Sequence, residues 1–192
     1  MSSLFQPGYL PAQTLAGKVF IGSTLYSGVA IPAYNATAQV FGLWNPAGSG
    51  VNIIPIRLSL AIATIGTNIV GAIGFSAVYN TGSAIGAAGA PITAYTQTGS
   101  LPALIGSNAG AAAPSAARFT LSATTIAPTF VYATGLGSST GTATDDPGQL
   151  THEFDGAFGV SPGTYIGLGG SAAPGSTYQA TLVWMELPIS TS

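Results

Sequence analysis

The residues of this sequence that could do chemistry are few, and most of them lie near residue 150. Asp145, Asp146, Glu153 and Asp155 are four of the five acidic residues, and the single histidine, His152, lies among them. Carboxylate oxygens are ligands that Ca²⁺ prefers. Their spacing follows no regular ligand pattern, so a solvated acidic loop is the simpler interpretation and the four acids are weak candidates for a metal site. His152 alone is best interpreted as a hydrogen-bonded structural residue.

A second possible centre is the stretch 137–141, whose letters GSSTG match the G-x-S-x-G pattern of serine hydrolases around Ser139. That chemistry requires the serine on a sharp turn between a strand and a helix of an α/β sheet. The match lies in a loop rich in Gly, Ser and Thr, where the pattern arises by chance. We therefore expect no catalytic residues and no enzyme.

A third pattern, GLGGSA at 167–172, resembles the G-x-G-x-x-A turn that binds dinucleotides. In that site a helix must follow the glycines, because its N-terminus binds the pyrophosphate. The next residues, Ala173, Pro174 and Gly175, exclude such a helix. The stretch is predicted to connect two strands, and no cofactor is expected.

Composition excludes further classes of function. Only 4% of the 192 residues are charged, the cations are Lys18, Arg57 and Arg118, and there is no cysteine. No basic patch is available to neutralise phosphates, so nucleic-acid binding is not expected.

The sequence up to residue 13 lacks the basic start of a secretory signal, and Gly, Asn and Ser interrupt the apolar window 58–79. We expect neither export by that route nor a membrane helix.

The elements that would position any site are strands. The last of them, within 177–188, alternates cleanly, with Tyr178, Ala180, Leu182 and Trp184 on one face. Together with 163–170 it is predicted to form a closing β-hairpin. A second strong strand at 51–64 is predicted to carry Ile54, Ile56, Leu58, Leu60 and Ile62 on one face, with Pro55 requiring an edge or a bulge.

The strands at 35–44 and 51–64 are separated by the turn formers NPAGSG and are predicted to be antiparallel neighbours. In total the pattern indicates an all-β fold, a jelly-roll β-sandwich of about eight to ten antiparallel strands with little or no helix. Residues 1–17 are predicted to form an extended N-terminal arm, and residues 18–192 a single jelly-roll domain.

Aromatic residues along the strands are expected to fill the core or contacts between subunits rather than a sugar site. The candidates for a subunit interface are the following residues: Phe5, Tyr9, Trp44, Tyr178 and Trp184.

Three segments carry a resemblance to a known class of proteins. FGLWNPAGSGVNIIPIRLSL at 41–60, GTYIGLGG at 163–170 and TYQATLVWMELP at 177–188 resemble virion structural proteins of tailed bacteriophages. The ending is also similar to the last two strands of the trimeric jelly rolls typified by tumour necrosis factor and complement C1q. The resemblance implies a homotrimeric capsid decoration protein, or a tail or fibre component, with no enzymatic residues.

The function expected is therefore that of a non-enzymatic virion protein, made in the host cytoplasm, that decorates or cements a bacteriophage shell as a homotrimer. Its partners would be further copies of itself and the major capsid protein or other virion proteins, with no nucleic acid and no membrane. Two alternatives stay open. One is a receptor- or glycan-binding fibre or tail module that uses the loop 135–148, and the other is a cell-surface layer or filament subunit.

Overall fold

The structure is a computed structural model of the 192-residue chain. It describes residues 9–24, 27–31, 38–39, 41–64, 73–78, 101–102, 115–120, 124–125, 130–134, 150–170 and 177–190. One helix and thirteen strands occupy these residues. They are α1 (Tyr9–Leu15), β1 (Val19–Ser23), β2 (Val29–Ala30), β3 (Ala38–Gln39), β4 (Gly42–Asn45), β5 (Val51–Thr64), β6 (Ile73–Val78), β7 (Leu101–Pro102), β8 (Arg118–Thr120), β9 (Thr124–Thr125), β10 (Phe130–Thr134), β11 (Leu150–Glu153), β12 (Thr164–Gly170) and β13 (Thr177–Pro188).

The strands form two larger sheets and one ribbon. The front sheet has the order β11-β5-β13-β1-β7, with β2 also paired to β13, and the back sheet has the order β10-β6-β12-β4-β8. Strands β3 and β9 form a separate two-stranded ribbon. Every pairing between these strands is antiparallel.

The connectivity of the eight longer strands is that of a jelly roll. In chain order, β1, β5, β11 and β13 belong to the front sheet, and β4, β6, β10 and β12 to the back sheet. Strand β13 returns to lie between β1 and β5, and β12 returns to lie between β4 and β6. Two interlocked Greek keys of this kind define the jelly roll. The predicted all-β sandwich is confirmed, and the five additional strands are only two or three residues long.

One apolar core lies between the two sheets. Its buried members come from the inner faces of both sheets, and from the connection that follows β11. They include Phe20, Leu58, Leu60, Leu182 and Trp184 of the front sheet, Leu43, Ile166 and Leu168 of the back sheet, and Phe154 and Val160 of the connection. The predicted alternation of β13 is confirmed, because the four residues from Tyr178 to Trp184 at spacing two are all buried.

A β-bulge in β5 changes which residues face the core. The pairing of β5 with β13 runs in register from Ala61 to Arg57 and then shifts, so that Trp184 lies opposite Pro55 and Ile56 is the additional residue. Ile53 and Pro55 are therefore buried, whereas Ile54 and Ile56 are only half-buried. Of the edge or bulge predicted at Pro55, the structure shows the bulge. The prediction that Ile54 and Ile56 share a face with Leu58 and Leu60 is wrong, because a bulge inverts the alternation on one side of it.

Two predicted pairings are also wrong. Strands β4 and β5 belong to different sheets, so the turn between them joins the two layers of the sandwich. Likewise β12 and β13 do not form a hairpin, because β12 pairs with β4 and β6 while β13 pairs with β1 and β5. In a jelly roll most strands that follow one another along the chain lie in opposite sheets, so neighbours in sequence are often not neighbours in a ladder.

The predicted extended arm at 1–17 is corrected for residues 9–15, which form the helix α1. Pro11 is its third residue, where a missing N–H removes no intrahelical hydrogen bond. The chain turns away from the helix at Gly17, two residues after Leu15, and the φ of 69° there suits glycine. Gly17 N donates to Thr14 O at 3.0 Å and Lys18 N to Gln13 O at 2.9 Å, which is the Schellman pattern. Residues 1–8 lie outside the described residues.

Within the described part of the chain no helix is long and apolar enough to cross a membrane. The described residues of the apolar window 58–79 belong to the strands β5 and β6.

Candidate functional site

The acidic residues near residue 150 do not come together in the part of the chain that the structure describes. Glu153 pairs with Arg57 across strands β11 and β5, and both side chains are about half exposed. Asp155 lies on the turn that follows Phe154, with a φ of 49° and an exposed side chain. Asp145 and Asp146 lie outside the described residues. No three potential metal ligands cluster among the residues described.

His152 lies on β11 and packs edge-on against Phe154, with 5.0 Å between ring centroids. Phe154 in turn contacts Phe158 in the same geometry at 5.4 Å. These contacts suit the structural role predicted for His152.

The other two sequence patterns are placed as follows. Ser139, of the pattern G-x-S-x-G, lies outside the described residues. The stretch Gly167–Gly170 belongs to β12 itself, so the connection to β13 begins only after Gly170.

The candidate interface residues occupy different places. Trp184 is fully buried, and Tyr178 and Trp44 expose at most 8% of their surface within a single chain. Because these three side chains are enclosed by their own subunit, they leave little surface for a partner, and their role in a subunit interface stays a prediction. Tyr9 lies on α1 and is half-buried. Phe5 lies outside the described residues.

The most distinctive polar site is one that the sequence analysis did not select. Glu186, near the end of β13, exposes only 5% of its surface. Glu186 lies opposite the core residue Ile53 of β5 and two residues after the core residue Trp184. Position 186 therefore faces the interior of the sandwich. Its backbone N–H donates to Lys18 O at 2.9 Å, which holds this end of β13 against the start of β1.

Four donors converge on the Glu186 carboxylate. Oε1 accepts hydrogen bonds from the Ser115 hydroxyl, from Ala117 N at 3.2 Å and from Trp184 Nε1 at 3.3 Å. Oε2 accepts a hydrogen bond from Ala116 N at 2.9 Å. Consecutive backbone N–H groups of this kind form a concave anion site, and here the protein's own carboxylate fills it.

We call Glu186 and its four donor residues the carboxylate cluster; the donors are Ser115, Ala116, Ala117 and Trp184. All of its donors are neutral, and they satisfy the buried charge by hydrogen bonds alone. Since Glu186 is almost entirely enclosed and its carboxylate accepts four hydrogen bonds, the cluster holds residues 115–117 against the end of β13. The sequence did carry a signal for it, because Glu186 is in phase with Trp184 and Leu182 on the inward face.

A second feature lies on the outer face of the back sheet. Trp44 and Tyr165 are cross-strand partners whose positions alternate with the core residues Leu43 and Ile166. Both are nevertheless buried. The Tyr165 phenol lies over Gly42, where a Cβ would meet the ring and its hydroxyl, and would approach Ile166 O to 2.7 Å.

We expect Gly42→Ala to lower the free energy of unfolding by about 1–3 kcal/mol, because the added methyl group overlaps both a ring and a backbone carbonyl. Urea unfolding checks this value. Gly159→Ala is the matched control, since its Cβ would meet the flexible tip of the Ile54 side chain at 3.2 Å and Ile53 O at an ordinary 3.7 Å, and should change stability by less than about 0.5 kcal/mol. Equal stability of the two variants would contradict the packing of Tyr165 on Gly42.

The connectivity and the single core define the class of the protein as a jelly-roll β-sandwich. Comparison with known proteins adds no closer relationship: no protein-family model, no curated protein and no solved structure matches the chain.

Proposed function

We propose that this chain is a non-enzymatic structural subunit of a bacteriophage virion, a homotrimer that decorates the capsid and contacts the major capsid protein. The observation that carries the proposal is a jelly-roll sandwich built from a chain with only three basic and five acidic residues. Few charges provide little repulsion between copies, and burying uncharged surfaces avoids the desolvation penalty of ions. Such a protein is suited to dense self-association.

The outer face of the front sheet illustrates this property. Thr181 pairs laterally with Ser59 and with Ser23, so one row across β5, β13 and β1 carries only hydroxyl groups. The next row places Val183 between Arg57 and Ile21, and Glu153 neutralises Arg57 at its end. The described part of this face thus carries small polar and apolar side chains and one ion pair, so a contact made here would desolvate few charges.

The assignment to a virion rests on the resemblance of residues 41–60, 163–170 and 177–188 to structural proteins of tailed bacteriophages. The geometry agrees with a structural role in one respect. The polar groups of the carboxylate cluster hold chain segments together, and the Glu186 and Ser115 side chains are shielded from solvent.

Native mass spectrometry and light scattering at micromolar concentration test the proposal. We expect a species of about 57 kDa, three times the 18.9 kDa chain. Because the contacts would be uncharged, the mass should be the same in dilute buffer and in about 1 M salt, where exposed ion pairs are screened. A stable monomer would contradict the homotrimer, and a trimer that dissociates in salt would contradict uncharged contacts.

A further inference from the structure

Apart from the burial of Ala117 in the core, the described residues attach the segment 115–120 to the sandwich at two places. Its first part, residues 115–117, is bound by the carboxylate cluster at the end of the front sheet. Its second part is β8, which pairs with β4 at the edge of the back sheet through Thr120 to Gly42, Phe119 to Leu43 and Arg118 to Trp44. The segment therefore crosses from one sheet to the other at one end of the core.

The two attachments differ in kind. The ladder of β8 contains three residue pairs, whereas β5 and β13 are joined by twelve. A strand with a three-pair ladder and one described neighbour opens at a lower free energy than the centre of a long ladder. The hydrogen bonds from Ser115, Ala116 and Ala117 to Glu186 are made to a charged acceptor, which is the stronger kind.

We propose that residues 115–120 form a strap that opens as a unit of its own, and that the Glu186 carboxylate is the latch that holds it closed. When the latch holds, the strap covers the end of the core beside Trp184 and completes the ladder of β4. When it releases, the backbone groups of Ala116 and Ala117 lose their acceptor, and the edge of β4 loses the strand beside it. An unpaired edge of this kind is open to pairing with another chain, so the latch also protects the back sheet.

Native-state hydrogen exchange, followed by NMR amide by amide, tests the strap. Glu186→Gln keeps the size of the side chain but replaces one acceptor oxygen with an NH₂ group. Because the partners of residue 186 in the cluster are all hydrogen-bond donors, the NH₂ group then faces a donor and cannot accept its hydrogen bond. We expect the amides of residues 116–120 to exchange at least about tenfold faster, as for loss of a hydrogen bond to a charged group. The amides of Ala180 and Leu182 in the centre of β13 should keep their rates.

Two further variants complete the design. Ser115→Ala removes one donor and leaves the carboxylate, so it should accelerate the same amides by a smaller factor and provides the test if Glu186→Gln does not fold. Glu153→Gln makes the same chemical change at an exposed acid and should leave residues 116–120 unchanged. Acceleration spread equally over residues 116–120 and β13, or no acceleration at residues 116–120, would overturn the proposal.

Discussion

We expect Trp184→Ala to lower the free energy of unfolding by about 3–5 kcal/mol, the cost of truncating a large aromatic side chain in a packed core. Trp184 has no exposed surface, and its ring stacks on Phe20 of the neighbouring strand with 6.2 Å between centroids. Its Nε1 also donates to Glu186 Oε1 at 3.3 Å. The substitution therefore removes packing and one member of the carboxylate cluster together. Urea unfolding followed by circular dichroism measures the loss.

Two variants separate these contributions. Trp184→Phe retains an aromatic ring against Phe20 but cannot donate to Glu186, so its cost should be clearly smaller than that of the alanine variant. Leu15→Ala, at a side chain that is 72% exposed on α1, should change stability by less than about 0.5 kcal/mol. If Trp184 anchored a contact between subunits instead, Trp184→Ala would dissociate the assembly and leave the chain as stable as before. That outcome would contradict the interior position.

The residues of β13 that face the core could be predicted from the sequence because the bulge near Pro55 lies on β5, so β13 keeps its own alternation from Tyr178 to Trp184. In β5 the alternation correctly placed Leu58 and Leu60 on one face, but it wrongly placed Ile54 and Ile56 on the same face. Pro55 indicated that an irregularity was needed, but the residue that absorbs it, Ile56, is decided by the partner strand. A local pattern reports the period of a strand and cannot report the phase after a bulge.

Strand partners were harder to predict than strands. The turn formers between β4 and β5 look the same whether the chain folds back into one sheet or crosses to the other, because both need a tight change of direction. The choice is made by contacts distant in sequence, such as β12 entering between β4 and β6.

The carboxylate cluster was missed for a related reason. Glu186 is in phase with the core, but its donors Ser115 and Ala116 lie about seventy residues away.

The corner between β4 and β5 depends on one buried amide, that of Asn45, which has no exposed surface. Its Nδ2 donates to Val51 O and to Val160 O, both at 2.8 Å, and its Oδ1 accepts from Ser49 Oγ at 2.6 Å. Its backbone carbonyl accepts from Gly163 N at 2.7 Å. One residue of the back sheet thereby holds the first residue of β5 and the connection that leads into β12.

We expect Asn45→Asp to lower the free energy of unfolding by at least about 3 kcal/mol. The side chain keeps its shape, but the atom that donated to Val51 O and Val160 O becomes an acceptor, so each of these carbonyl groups loses one donor and faces a negative charge. Urea unfolding measures the loss. The matched control is Asn52→Asp, the same change at a half-buried position on β5, which should cost less than about 1 kcal/mol. If both variants are equally stable, Asn45 does not hold the corner, and the crossing from the back sheet to the front sheet must depend on the ladders alone.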